Sequence, residues 1–260
     1  MPFVNSGNWS CLSARRDSSD ARIITHQACR AAILSALFVF ALSACQPLPP
    51  VQSSQAQAPQ SAAAPAFQNE KRYIVDTRNS EIRLLVYRDG PMARFGHNHV
   101  MTGRVGGEIS VSDSAAASGF RLEIPVESFV VDDATLRAEE GEEFAAAVSD
   151  QARKGTRDNM LGADILDAAH YPIINIESDT LVGPRWNPSV TARVTVRGRT
   201  SVLKFPAAVI EQAGSLTVVA AFPVLQSKLG IVPYSVLGGA IQVRDAIDIR
   251  VRLVALPATD

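Results

Sequence analysis

The scarcest useful residue in this sequence is cysteine. Only three occur, Cys11, Cys29 and Cys45, so nothing after residue 45 carries a thiol. The later chain therefore has no disulfide, no thiolate nucleophile and no cysteine-ligated metal. An excess of one charge is also missing. Lys and Arg number 25 against 26 Asp and Glu, a net charge of -1, which gives no basic stripe for nucleic acid. There is no Gly-x-Ser-x-Gly nucleophile elbow and no glycine-rich phosphate loop opening a helix. The acidic run Glu139 to Glu143 lacks the Asp/Asn-Gly loop of an EF-hand and reads as a solvated helix face. No internal repeat is visible, and length points to one domain or at most two.

What is present begins with an export signal. Arg15, Arg16, Arg22 and Arg30 precede an apolar run from Ala31 to Leu42. At about a dozen residues the run is too short to span a bilayer and suits the hydrophobic region of a signal peptide. It ends in Leu42-Ser43-Ala44-Cys45, which resembles the lipobox of bacterial lipoproteins. That resemblance implies cleavage before Cys45, which removes the other two cysteines, and acylation of the Cys45 thiol. Two or more lipid chains anchor stably where one does not. Gln46 follows the cysteine, and by similarity to enterobacterial sorting this favours the outer membrane, facing the periplasm. From Gln46 to about Gln68 the chain is Pro, Ala, Gln and Ser without charge. Such a stretch cannot bury enough surface to offset its ordering entropy, so it reads as a tether. The expected organisation is a signal peptide over 1–44, lipidated Cys45 and tether over 45–69, and a folded domain over 70–260.

The domain reads as strands. Ile241, Val243, Ile247, Ile249, Val251 and Leu253 share one parity, and Gln242, Arg244, Asp248, Arg250 and Arg252 the other. A period of two buries one face and wets the other. Asp245 interrupts the apolar parity and predicts a bulge or a polar contact. Val190, Ala192, Val194 and Val196 alternate with Thr191, Arg193, Thr195 and Arg197 in the same way. Further strand-like runs are 72–77, 81–88, 102–111, 120–126, 173–181, 201–210 and 216–225, separated by Gly, Pro, Asn and Asp. Gly103 to Gly107 marks a bend or bulge. From Asp133 to Ala169 the alternation stops; Asp132 or Asp133 can cap a helix, and 145–161 suits another. The expectation is an all-β chain of about eight to ten antiparallel strands, a barrel or sandwich, with one or two inserted helices. A barrel of about eight strands can enclose one apolar ligand.

Several motifs in order resemble the YceI family. Arg157-Asp158-x-x-Leu161-x-x-Asp164-x-Leu166-Asp167-x-x-x-Tyr171-Pro172 is similar to its middle signature, and Tyr73-x-Val75-Asp76-x-x-x-Ser80 to its first strand. Val194-x-Val196-x-Gly198-x-Thr200 and Ile247-Asp248-Ile249 fit later elements. The resemblance implies a lipocalin-like antiparallel β-barrel in the periplasm. It also implies a long apolar cavity for a polyisoprenoid or related long-chain lipid, no established catalytic constellation and no other cofactor. The chain departs from the pattern at Asn79-Ser80, where a His-Ser pair is usual, and at Phe95-Gly96-His97-Asn98-His99-Val100.

Candidate site residues follow. Leu84, Val86, Phe95, Phe120, Leu122, Phe129, Leu161, Phe205 and Phe222 are expected to line a cavity. Strands such as Leu84-Leu85-Val86 are apolar on both parities, and the surplus either packs under the helices or lines the cavity. His97 and His99, two apart, fall on one side of an extended backbone; they bond within a loop, contact a ligand head group, or bind zinc, copper or haem. Arg157 either reaches the cavity mouth or ties a helix to the barrel. His170 belongs to a loop fixed by Pro172. Three functions remain open: a non-enzymatic lipid carrier held to a membrane by its anchor, a metal or haem protein, and an interaction or stress module with a filled barrel. A homodimer is left open.

Overall fold

A computed structural model describes residues 70–259 except position 213. The readings made on 1–69, including Cys45 and the tether, lie outside the described residues. Fifteen strands and two α-helices follow in chain order. The strands are β1 Lys71–Val75, β2 Glu81–Val86, β3 Arg88–Asp89, β4 His99–Arg104, β5 Gly106–Val111, β6 Gly119–Pro125, β7 Val130–Val131, β8 Ile173–Val182, β9 Ser189–Val196, β10 Arg199–Pro206, β11 Ala208–Gln212, β12 Ser215–Leu225, β13 Ser235–Val236, β14 Ile241–Val243 and β15 Ala246–Pro257. Helices α1 Ala134–Glu139 and α2 Asp150–Leu161 lie between β7 and β8.

Twelve strands form one antiparallel sheet in the order β10-β9-β8-β6-β5-β1-β15-β2-β4-β7, with β12 on β15 and β11 on β12. β15 is the spine. It pairs with β12 from Ala246 to Ala255, and with β2 and β1 end to end along its other edge. The sheet curls until β10 comes beside β12. No backbone ladder joins those two among the described residues; instead the rings of Phe205 and Phe222 stack with centroids 4.1 Å apart. β3, β13 and β14 make a small separate sheet. No described helix is long and apolar enough to cross a membrane.

Alternation decides which faces are dry. In β9, Val190, Ala192, Val194 and Val196 are buried and the residues between them are half-buried. In β15, Ile247, Ile249, Leu253 and Ala255 are buried while Arg250 and Arg252 face out. β2 uses both parities. Ile82, Leu84 and Val86 face the interior, and Leu85 packs outward with Val100, Phe144 and Leu136 beneath α1.

The elements are more numerous than the sequence runs suggest because several runs break in the middle. The run 102–111 becomes β4 and β5, split at Val105. Gly107, with φ +129°, lies so close to β6 that a Cβ would collide with the Arg121 carbonyl. β14 and β15 part at Arg244-Asp245, where Asp245 accepts hydrogen bonds from Ser227 N–H (2.8 Å) and Ser227 Oγ–H (2.6 Å). The expected helix over 145–161 starts only at Asp150, because the Ser149 hydroxyl accepts the Ala152 N–H and caps it there. The acidic run is not a freely solvated face. The Glu140 side chain is only 3% exposed, pairing with Arg83 at 2.7 Å and Arg250 at 2.6 Å, and Glu139 also reaches Arg83. These carboxylates tie the end of α1 to the outer faces of β2 and β15.

Two outcomes test this architecture. Gly107→Ala is expected to lower the unfolding free energy by at least about 2 kcal/mol, from a strained φ and the β6 clash. Gly106→Ala, whose Cβ would meet nothing nearer than Thr77 Cγ2 at 4.0 Å, should change it by less than about 1 kcal/mol; urea unfolding compares the two. Tyr87 donates to Asp248 Oδ2 at 2.7 Å, and burial with that carboxylate pushes its phenol up to about 12. The protonated phenol is favoured in the fold, so the stabilisation is complete below the ordinary tyrosine value and is lost as pH rises from about 10 towards 12. Tyr87→Phe should flatten that alkaline limb in pH-dependent melting.

Candidate functional site

The inward parities do not fill the space they enclose. A cavity of about 550 Å³ runs through the sheet, within the range of small-molecule sites. Its walls are overwhelmingly apolar: Val105 and Ile109 from β4–β5, Ile176 from β8, Leu203 from β10, Val218 from β12, and Ile249 and Val251 from β15 among them. Polar lining comes from loops, from α2 and from residues near strand ends, including His99, Ser118, Asn159, Arg185 and Gln226. Trp186 lines the cavity while 69% exposed. Met160 from α2, with Ile165 and Leu166 from the turn after it, also faces the cavity.

Of the residues singled out from sequence, Leu84, Val86, Phe120, Leu122, Phe129, Phe205 and Phe222 line this cavity. Phe95 does not. It sits in a 3-10 turn, Ala93–Phe95, that folds outward, leaving the residue 62% exposed with the Arg94 guanidinium over its ring. Leu161 also lies off the cavity wall. As the last residue of α2 it packs against the core cluster, and its neighbour Met160 takes the inward position. Arg157 is not at the cavity either. Its guanidinium donates to the Phe129 carbonyl (3.1 Å) and to the carbonyl and carboxylate of Glu127 (2.8 and 2.7 Å), clamping α2 to the segment after β6. That clamp holds the backbone of Phe129, whose ring lies on Gly103, where a Cβ would come within 2.9 Å of it. His170 is exposed and bonded to Asp167 at 2.8 Å. The apolar runs Ile173-Ile174 with Ile176 and Leu216 to Phe222, read as either packing under the helices or lining the cavity, supply Ile174, Ile176, Leu216, Val218 and Ala220 to its wall; Leu203 of β10 was not singled out.

A second feature lies beside the cavity. His97 and His99 stand on one side of the chain with ring centroids 4.5 Å apart. Asn98 turns the other way: its Oδ1 accepts the Arg88 N–H and its Nδ2 donates to the Glu143 carbonyl. Both imidazoles face Asp132, which is fully buried and left-handed at φ +53°. Asp133, not Asp132, caps α1. Asp132 Oδ1 accepts the Val100 N–H (2.9 Å) and the Arg137 guanidinium (2.5 Å). Asp132 Oδ2 is 2.7 Å from His99 Nδ1. Burial pushes this carboxyl up, but the two imidazoles that face it and the Val100 N–H outweigh it and hold the group well below the usual carboxylate range. Arg137, itself 5% exposed, also donates to the Asn98 and Ala146 carbonyls. The signal in sequence was His-x-His; the partner, 33 residues on, carried none.

Residues 73–255 match the YceI-like domain. Among solved structures the chain is similar to Burkholderia cenocepacia BcnA, at 20% identity over 71% of this chain and 99% of that one, with a TM-score of 0.51. It is also similar to a Campylobacter jejuni YceI protein, at 11% identity over 60% and 82% of the two chains, with a TM-score of 0.43. No curated protein matches it in sequence.

Replacing the buried carboxylate tests how far the cluster carries the fold. Asp132→Asn leaves the Arg137 guanidinium without its counter-charge and is expected to cost about 3 kcal/mol or more in urea unfolding. Asp133→Ala, which removes only the α1 cap, should cost about 1 kcal/mol.

Proposed function

The chain belongs to the YceI-like family, and on that premise we propose that its barrel binds a polyisoprenoid or other long-chain lipid, without chemical conversion, as a carrier or store. The observation that carries this reading is the cavity of about 550 Å³ with apolar walls. Protein interiors are close-packed and hold few voids larger than a water molecule. A void of this size matches about eighteen groups of water volume, a chain-like amount of space. Burial contributes roughly 0.8 kcal/mol per CH₂. About fifteen carbons then supply roughly 12 kcal/mol, enough to offset association costs with few polar contacts, in keeping with polar lining drawn mainly from loops, α2 and strand ends.

We extend the reading to the N-terminal segment. Acylated Cys45 holds the domain at a periplasmic membrane surface, the outer membrane being favoured by Gln46, and the uncharged stretch from Gln46 to Gln68 gives it reach. A barrel so tethered meets a lipid where the lipid is soluble and carries it where it is not. The filled-barrel module has no comparable observation behind it.

The test uses the full chain isolated from its own envelope fraction. Native mass spectrometry with organic extraction is expected to find a stoichiometric long-chain species. Val218→Trp, which places an indole in the cavity from β12, should abolish that species while circular dichroism stays unchanged. An apo mass that takes up no added long-chain isoprenoid alcohol overturns the proposal.

A further inference from the structure

Three metal-ligand groups converge at the start of β4. One ligand atom each from His97, His99 and Asp132 all lie within 4.8 Å of one another. One of them has an unmet need: His97 Nε2 is buried and has no hydrogen-bond partner. It stands 3.7 Å from Asp132 Oδ2, too far for a hydrogen bond. Two donors bound at about 2.0–2.2 Å to one tetrahedral ion stand roughly 3.4 Å apart, so this gap is close to the span of a bridging cation.

We propose that His97, His99 and Asp132 form a binding site for a divalent transition ion of the zinc class, using His97 Nε2, His99 Nδ1 and Asp132 Oδ2. The donor chemistry fits, since two imidazoles and one carboxylate suit zinc and its first-row neighbours. The surroundings fit as well. Ligating carboxylates are themselves held by outer hydrogen bonds, and here Val100 N–H and Arg137 grip Oδ1 and leave Oδ2 to the imidazoles. Binding replaces the His99 proton shared with Asp132, and that 2.7 Å contact opens by about 0.7 Å to the ligand–ligand spacing above. Arg137 already balances the carboxylate charge, so the ion depends on both imidazoles. The site does not rest on the lipid-binding reading, and the metal-free protein is expected to take up lipid unchanged.

The experiment uses the protein without an affinity tag, any free thiol alkylated, stripped with chelator and titrated with Zn²⁺ and then Co²⁺. Expected are one bound ion per chain by elemental analysis, a visible ligand-field spectrum with Co²⁺, and a thermal midpoint that rises with ion concentration. His97→Ala and His99→Ala should each weaken binding about a hundredfold or more, and His170→Ala should leave it unchanged. His97→Ala separates binding from folding, because the His97 Nε2 it deletes makes no hydrogen bond and the metal-free stability should hold. Absence of a bound ion, or an ion retained unchanged by His97→Ala, overturns the proposal.

Discussion

β15 is the strand on which the barrel depends. It is hydrogen-bonded along both edges, to β12 on one side and to β2 and β1 on the other, so its register fixes three neighbours at once. Its inward face is Ile247, Ile249, Val251, Leu253 and Ala255, and its outward face carries Asp248, Arg250 and Arg252. A slip of one residue would drive those charges into the cavity and the aliphatic residues into water. The outward charges are in turn occupied: Asp248 accepts Tyr87, and Arg250 reaches Glu140 at the end of α1. One alternating strand therefore sets the dry interior and also the points at which the small sheet and the first helix attach.

The strands were legible because alternation needs only one chain segment to be read. β9 and β15 stand in the sequence nearly as they stand in the fold. Phe120, Phe205 and Phe222 were legible as lining for the same reason, large apolar residues within strand runs, whereas Phe129 follows a 3-10 turn outside the strands. Phe95 was not, since its place depends on a turn that leaves the sheet, and a turn's direction is set by what it packs on. Leu161 and Met160 differ by one helical step, which sequence period alone does not assign to one side or the other. Asp132 was read as a possible cap; only the fold brings it from 33 residues away to His99. Buried charge of this kind is settled by tertiary partners, here Arg137 and the Val100 N–H.

His99 belongs to both features of the molecule. Its ring lines the apolar cavity while its Nδ1 is fixed by Asp132. The carboxylate thereby orients a polar group in a mostly apolar wall, and Arg157, clamped to the Phe129 carbonyl, steadies the aromatic wall near α2. The cavity is thus shaped by strands and trimmed by polar contacts made outside it.

The seam between β10 and β12 has a consequence for how copies of the domain meet one another. A sheet whose last strands meet through stacked phenylalanines leaves one edge of β10 without a ladder. Open edges recruit other strands and seed association between copies. β10 answers with exposed Lys204, and with Pro206, which has no N–H to offer a visiting strand. Pro206, where the pairing with β9 ends, and exposed Lys204 thus act as gatekeepers on that edge.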